Sequence, residues 1–573
     1  MSYTNLGLAA ACALAFPALA QTAAPGAAEC TALANLQEFP VDPTRITLTQ
    51  FNEASATLPA HCRVQGIMEE RTGVRGIPYG TRFEVRLPVD WNGRFMFQGG
   101  GGTQGNLSAA TGSAGTLSPT LAKGFAVATE NGGHQNSDLT PDPNGMVITS
   151  AMFYDDPQAV RDWSYRSVEI TTRTAKYLIR SFYDKPVRHS YFVGCSTSGR
   201  QGIAMAQDFA RHYDGIVAGD PFFVPPHISL SETWTLQQVK SVSPVGADGK
   251  PVWHQSYSVA DRELFTRAIL EACDGLDGLQ DGVIDNHAAC RFDPAQFRFA
   301  ATGEPLQCTG AKTASCLSPA QVKAIKKMED GPRTSWGEAI VAPNGWPVTG
   351  YPYDGGWMEP SGIPARNIGT PTSQPGNLTA GTAQLPLFWF ERPDPTYDPV
   401  GFDWDRDMRL VVKSAPGVRD DTDLSDFRRH GGKIIFYHGL SDSGPPWTYT
   451  AYFYDRITQR DHGKGGKHDD FARLYMVPNM GHCNGGPSTD RFDFLTPLMA
   501  WVEERRAPDT VIASGVNFKT APTTRSRPLC PYPQTLRYTG PEGGDIAAAE
   551  NYTCREWPTR GRGRGDRDDD DDD

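Results

Sequence analysis

Three residues of this chain could together break an acyl bond: Ser196, Asp442 and His482. Ser196 lies in Gly194-Cys195-Ser196-Thr197-Ser198-Gly199, between an apolar strand-like run (190–194) and a helical pattern (200–210). A nucleophilic serine needs such a turn. It lifts Oγ clear of a sheet and points the next N–H at a developing oxyanion. Gly194 stands two residues before the serine, as the turn requires, but Ser198 stands where a second glycine is usual. Taking Ser198 as nucleophile puts Ser196 and Arg200 at the flanks, a poorer fit. Asp442 follows the strand-like Phe436-Tyr437-His438-Gly439, and His482 follows Val477-Pro478-Asn479. Taken singly, a loop aspartate is a turn former and a loop histidine a solvated side chain. In the order Ser…Asp…His, each at the C-terminal end of a strand, they point to the triad of an α/β-hydrolase. The oxyanion donors expected are the N–H groups of Thr197 and of Gly102 or its neighbour Gly101, in the loop Gly99-Gly100-Gly101-Gly102.

A second cluster has the chemistry of a metal loop. Residues 273–285 set four aspartates among three glycines, hard oxygen donors on tight turns that suit Ca²⁺. The spacing is not that of an EF-hand. The expected ligands are the side chains of Asp274, Asp277 and Asp281 with the carbonyls of Leu279 and Val283, a structural site away from the triad. A third group is aromatic: Trp234, Trp253, Trp336, Trp346, Trp357, Phe388, Trp389 and Phe390. Any one ring is more often core than binding surface. Phe388-Trp389-Phe390, near the insertion's end, are expected to form a wall against which a flat acid stacks.

These residues must be positioned by a sheet. Residues 94–97, 124–129 and 190–194 are short apolar runs entering Gly-rich loops, with a helical pattern over about 156–183 between the second and third. Strand signals return at 433–437 and 472–478. Strands alternating with helices indicate a parallel α/β sheet. From 221 to 426 the alternation stops and Pro, Gly and Trp dominate. The fold expected is an α/β-hydrolase core, residues 21–220 and 427–558, with a large inserted lid, 221–426, carrying the metal loop. The Arg-Gly and poly-Asp tail, 559–573, cannot bury a core and is expected to be disordered.

The chain has 573 residues, 11 of them cysteine, and a formal charge of −12. That charge argues against nucleic acid as a partner. An Ala-rich run over 6–19, ending in Ala18-Leu19-Ala20, predicts a signal peptide cleaved before Gln21 and a secreted or periplasmic protein. No later run is long enough to span a bilayer. Removing Cys12 leaves an even ten cysteines, which in an exported chain suggests disulfides. Close spacing suggests Cys30–Cys62, Cys273–Cys290, Cys308–Cys316 and Cys530–Cys554, although spacing does not fix connectivity. Cys195 and Cys483 remain, one beside Ser196 and one beside His482. If they bond, they tie the nucleophile turn to the histidine loop.

Taken together, Gly194-Cys195-Ser196 with Gly199-Arg200, Tyr213-Asp214-Gly215 with Gly219-Asp220-Pro221, the 274–285 loop, Tyr437-His438-Gly439 with Asp442, and Gly481-His482-Cys483 resemble the tannase/feruloyl esterase family. The resemblance implies the triad, the Cys195–Cys483 bridge, Ca²⁺ in the lid, and small esters of aromatic acids as substrates. Terephthalate-cleaving members hold the substrate carboxylate with a lid arginine. The corresponding stretch here, 373–379, has none, and Arg366 is the nearest, which favours a phenolic ester. A peptidase on the same fold would share the triad. A binding protein would have no need of all three residues.

Overall fold

The computed structural model describes residues 25–112, 118–142, 148–222, 225–413, 422–462 and 470–556. The expected signal, 1–20, and the acidic tail, 559–573, lie outside them. The centre is a nine-stranded sheet in the order β1-β2-β3-β5-β4-β6-β7-β8-β9. Its strands are β1 (Thr44–Asn52), β2 (His61–Thr72), β3 (Pro78–Pro88), β4 (Arg94–Gln98), β5 (Ala126–Glu130), β6 (His189–Cys195), β7 (Gly215–Gly219), β8 (Lys433–Gly439) and β9 (Ala472–Val477). From β5 across to β9 every neighbouring pair is parallel. Parallel strands are covered on both faces by their crossover helices and so read as continuous apolar runs. Phe95, Met96 and Phe97 of β4 accordingly have no exposed surface.

The other three strands form an antiparallel ribbon joined to β5 through β3. This ribbon is not among the strands expected from the sequence. β1 is half exposed along its length, and register shifts interrupt both its pairing with β2 and the β2–β3 pairing. An alternating pattern broken by bulges carries little periodic signal.

The helical stretch after β5 runs as Pro157–Arg161, a π turn Asp162–Arg166, and Ser167–Tyr183. Asp156 caps its start by accepting from the N–H groups of Gln158 and Ala159. The π turn redirects Trp163, whose Nε1 donates to the Gly102 carbonyl at 3.1 Å.

Between Gly219 and Lys433 the described residues add no strand to the sheet. The helices Pro225–Val242, Val259–Cys273 and Pro319–Asp330 instead close on a core of their own, including Leu236, Phe265, Ile269, Val322 and Ile325. Ser258 and Ser318 start the last two with capping boxes.

The expected aromatic wall is core. Trp389 is 0% exposed and Phe390 5%. Phe388 packs against Phe153 and Trp163, Trp389 against Trp163, and Phe390 against Tyr397 and Phe402, so Trp389 presents no face to a substrate. The reason lies in the run Leu385-Pro386-Leu387-Phe388-Trp389-Phe390: a segment apolar on every side is buried on every side. Trp234, Trp253, Trp346 and Trp357 are buried too, and Trp336 is exposed.

Candidate active site

Each triad residue leaves the C-terminal end of a parallel strand. Ser196 follows β6 with φ +64° and ψ −122° and precedes the helix Thr197–Asp208. Backbone strain of this kind is the mark of a nucleophile turn. The turn is fixed by Ser196 N–H donating to Gly219 O at 2.9 Å and by Arg200 and Phe222 N–H donating to Ser196 O. Asp442 follows β8, and His482 follows β9.

The three side chains form a line. His482 Nε2 lies 2.8 Å from Ser196 Oγ, and His482 Nδ1 lies 2.7 Å from Asp442 Oδ2. The other Asp442 oxygen accepts from Gly444 N–H at 2.7 Å. Burial opposes charge on Asp442, but the adjoining His482 and His438 outweigh it and hold the carboxyl well below its ordinary range.

Ser198 is spent on the turn itself. It is buried. Its hydroxyl donates to Gly100 O and lies 3.0 Å from Cys195 O, and it accepts from Cys195 N–H at 3.1 Å. A side chain on Gly99 or Gly194 would overlap Ser198, at 2.4 and 2.5 Å. Two glycines on neighbouring segments thus make the room that the missing third glycine would have given.

Thr197 opens the helix after the nucleophile, and its Oγ1 donates to Gly102 O at 2.7 Å. With Trp163 on the same carbonyl, the glycine loop is pinned beside the turn. Gly102 has φ +59°, and a Cβ at Gly101 or Gly102 would meet no atom within 4 Å. This loop therefore borders open space next to Thr197.

Among the described residues five disulfides are present: Cys30–Cys62, Cys195–Cys483, Cys273–Cys290, Cys308–Cys316 and Cys530–Cys554. The second directly joins the residue before Ser196 to the residue after His482.

The lid's grip on these loops leaves no local mark in the sequence. Asp354 is buried. It accepts from Ser441 Oγ at 2.5 Å and from Asn479 N–H at 3.0 Å, so one lid carboxylate holds both the Asp442 and the His482 loops. Arg366 Nη1 lies 3.7 Å from Glu232 Oε1 and would be 2.6 Å from a side chain on Gly444. The lid guanidinium is therefore beside the triad's Asp442 turn. No residue of the triad lines the cavity of about 700 Å³ between Trp447, Tyr452, Tyr353 and Arg527. The reacting centre is assigned by the hydrogen-bonded line rather than by cavity size.

In the 274–285 loop all four aspartates are buried. Asp274 accepts from Asp281 and Gly282 N–H, and Asp277 from Leu279 N–H. Burial, reinforced by Asp285, pushes Asp277 up to about 8. The donor set is all oxygen, and the hydrogen bonds to Asp274 and Asp277 come from backbone N–H groups, which fits a hard cation. Asp281 differs from expectation: its carboxylate is turned to Arg525 and Arg527, and Asp285 to Arg527. Two buried guanidiniums on the strand Arg525–Leu529 need carboxylates, and these are within reach.

Residues 62–555 match the family described as "Tannase and feruloyl esterase". The mono(2-hydroxyethyl) terephthalate hydrolase of Piscinibacter sakaiensis is 41% identical over 538 residues, 88% of this chain and 86% of that protein. A probable feruloyl esterase B-2 of Aspergillus flavus is 29% identical over 88% of this chain and 91% of its own. Among solved structures, feruloyl esterase B from Aspergillus oryzae superposes with a TM-score of 0.67 at 23% identity. It covers 92% of this chain and 99% of that one. A tannin acyl hydrolase from Aspergillus niger gives 0.65 at 18%, covering 93% and 96%; at this identity both support the fold alone. With a family match across nearly the whole described chain, this protein belongs to the tannase and feruloyl esterase family and is a carboxylic ester hydrolase.

Proposed function

We propose that the chain is an exported serine esterase that cleaves esters of phenolic acids through an acyl-enzyme on Ser196. The observation that carries this reading is the line Ser196 Oγ, His482 Nε2, His482 Nδ1, Asp442 Oδ2. Ser196 Oγ attacks the ester carbonyl carbon as its proton passes to His482 Nε2. Asp442 orients the ring and stabilises the imidazolium. The tetrahedral oxyanion accepts from the N–H of Thr197 and of Gly102 or Gly101. Collapse breaks the bond to the alkoxide, which leaves with the His482 proton. Water then attacks the acyl carbon and gives its proton to His482; collapse breaks the bond to Ser196 Oγ, which takes that proton back from His482 as the acid is released.

A terephthalate monoester is the second reading, favoured by Arg366 beside the Asp442 turn and by the 41% identical relative. In the lid, Asp274 and Asp277 with the Leu279 and Val283 carbonyls would hold Ca²⁺, which would neutralise these two buried carboxylates rather than join the chemistry; Asp281 is already paired with Arg525 and Arg527. Export is supported by the leader-like run and five disulfides. No described helix is long and apolar enough to cross a membrane.

The test is kcat/KM on methyl ferulate, methyl gallate, mono(2-hydroxyethyl) terephthalate and p-nitrophenyl acetate, for wild type and Ser196→Ala. A loss of several orders of magnitude in kcat on all esters, with an unchanged melting curve, is expected. Activity surviving in Ser196→Ala but not in Ser198→Ala would overturn the assignment. A higher rate on the terephthalate monoester than on ferulate would select the second reading.

A further inference from the structure

The catalytic carboxylate does not end the line of titratable groups. Behind it lies a second buried histidine, His438, the sixth residue of β8, and behind that a second buried aspartate, Asp220, one residue past the end of β7. His438 Nε2 is 2.9 Å from Pro445 O, 3.4 Å from Asp442 Oδ2 and 3.7 Å from Asp220 Oδ1. Its Nδ1 is 2.7 Å from Thr450 Oγ1. A carbonyl oxygen can only accept, so the Pro445 contact places a hydrogen on Nε2. That N–H therefore faces a carbonyl and two carboxylates at once. Asp220 is itself held by Gly439 N–H at 3.0 Å, and its Oδ2 lies 3.6 Å from Cys195 Sγ of the bridge.

Two buried carboxylates this close to one imidazole repel each other unless a cation separates them. We propose that His438, as an imidazolium paired with Asp220, is a positioning residue that keeps Asp442 ionised and aimed at His482. The proposal rests on the triad reading given above. Burial pushes against charge on His438, yet Asp220 and Asp442 together raise it above its ordinary value. Burial pushes Asp220 up to about 7 and His438 opposes that rise, so the imidazolium and this carboxylate stabilise each other's charge. Among the described residues, the other charges near the triad are on the lid side. Arg366 and Glu232 face Asp442, and Asp354 is bound to Ser441 and Asn479. None of them stands between Asp220 and Asp442.

The test is the pH profile of kcat/KM on p-nitrophenyl acetate, whose small acyl group leaves lid contacts out of the result. His438→Gln keeps an N–H donor but cannot carry the charge. Both carboxylates then face each other uncompensated, a proton is taken up more readily, and the acid limb should move up by about one pH unit. Asp220→Asn removes the competing carboxylate and leaves the imidazolium to Asp442 alone, so the acid limb should move down. The double variant should return towards wild type. A purely structural role would lower activity at every pH and lower the melting temperature without moving the limb. A folded His438→Gln or Asp220→Asn whose limb stays at the wild-type position overturns the proposal. If His438→Gln does not fold, Asp220→Asn alone decides by the same criterion. A stoichiometric metal in wild type that both variants lose would also overturn it, because Nε2 would then be a ligand. Failure of the triad reading is separate: it would show as an active Ser196→Ala, whatever the position of the limb.

Discussion

At Ser198 one hydroxyl makes three contacts inside the nucleophile turn, to Gly100 O, Cys195 O and Cys195 N–H. Ser198→Ala should therefore weaken the turn without touching the chemistry. Losing buried hydrogen bonds costs about 1–3 kcal/mol, so the expected outcome is a lower melting temperature and kcat down by about tenfold, with KM on p-nitrophenyl acetate unchanged. A loss as deep as that of Ser196→Ala would mean Ser198 takes part in the reaction. The same scale shows which residues a sequence can disclose. Ser196, Asp442 and His482 are legible because acyl transfer demands those three types in order at strand ends. Asp354 is not, because its partners lie 87 and 125 residues away along the chain. Nothing local to Asp354 distinguishes a loop clamp from a turn former. His438 and Asp220 are visible only as parts of a motif, since what they do depends on β7 and β8 lying side by side.

Among the elements, the acidic loop and the aromatic run invite opposite tests. The loop's ends are tied by Cys273–Cys290 and its Asp281 and Asp285 meet Arg527, so it is built into the junction of lid and C-terminal strand. If Ca²⁺ neutralises Asp274 and Asp277, chelation should lower the melting temperature by an amount that shrinks as calcium is added back. Folded enzyme should keep its activity at first, because no triad residue belongs to the loop. Finding no calcium in unchelated protein would sink the idea. For Trp389, buried against Trp163, truncation leaves a large cavity. Trp389→Ala should cost about 3–5 kcal/mol in denaturant titration and should lower kcat/KM on methyl ferulate and p-nitrophenyl acetate alike. A selective loss on ferulate would restore the wall. The sequence could not separate these cases: an apolar aromatic run has the same composition whether it faces a ligand or its own core.

Across the whole molecule, β4, β5, β6, β8 and β9 of the parallel half were legible because they are apolar runs entering glycine or catalytic loops, whereas β7, five residues long and closed by Gly215 and Gly219, was not. The lid was legible only as an interruption. Its helices close on a private core, and their periodicity is blurred by polar residues that find partners inside, such as Ser231, whose hydroxyl donates to Thr349 O at 2.7 Å. What holds so large an excursion in register with the triad is covalent as well as packed. Cys195–Cys483 spans 288 residues and encloses the entire insertion. Cys530–Cys554 spans 24 and joins two C-terminal segments, neither of which carries a triad residue. In the loop-entropy account the long bridge restricts the unfolded chain by roughly 5 kcal/mol and the short one by about 3, so both Cys→Ala pairs should unfold at lower temperature. Only the long bridge also fixes the distance between Ser196 and His482, and displacement of reacting groups by even an ångström is costly. Cys195→Ala/Cys483→Ala should therefore lose about 100-fold in kcat at a temperature where it is still folded. Cys530→Ala/Cys554→Ala should keep kcat within a few-fold there. Measured well below both melting temperatures, equal losses in the two variants would show that the bridge beside the triad serves stability alone.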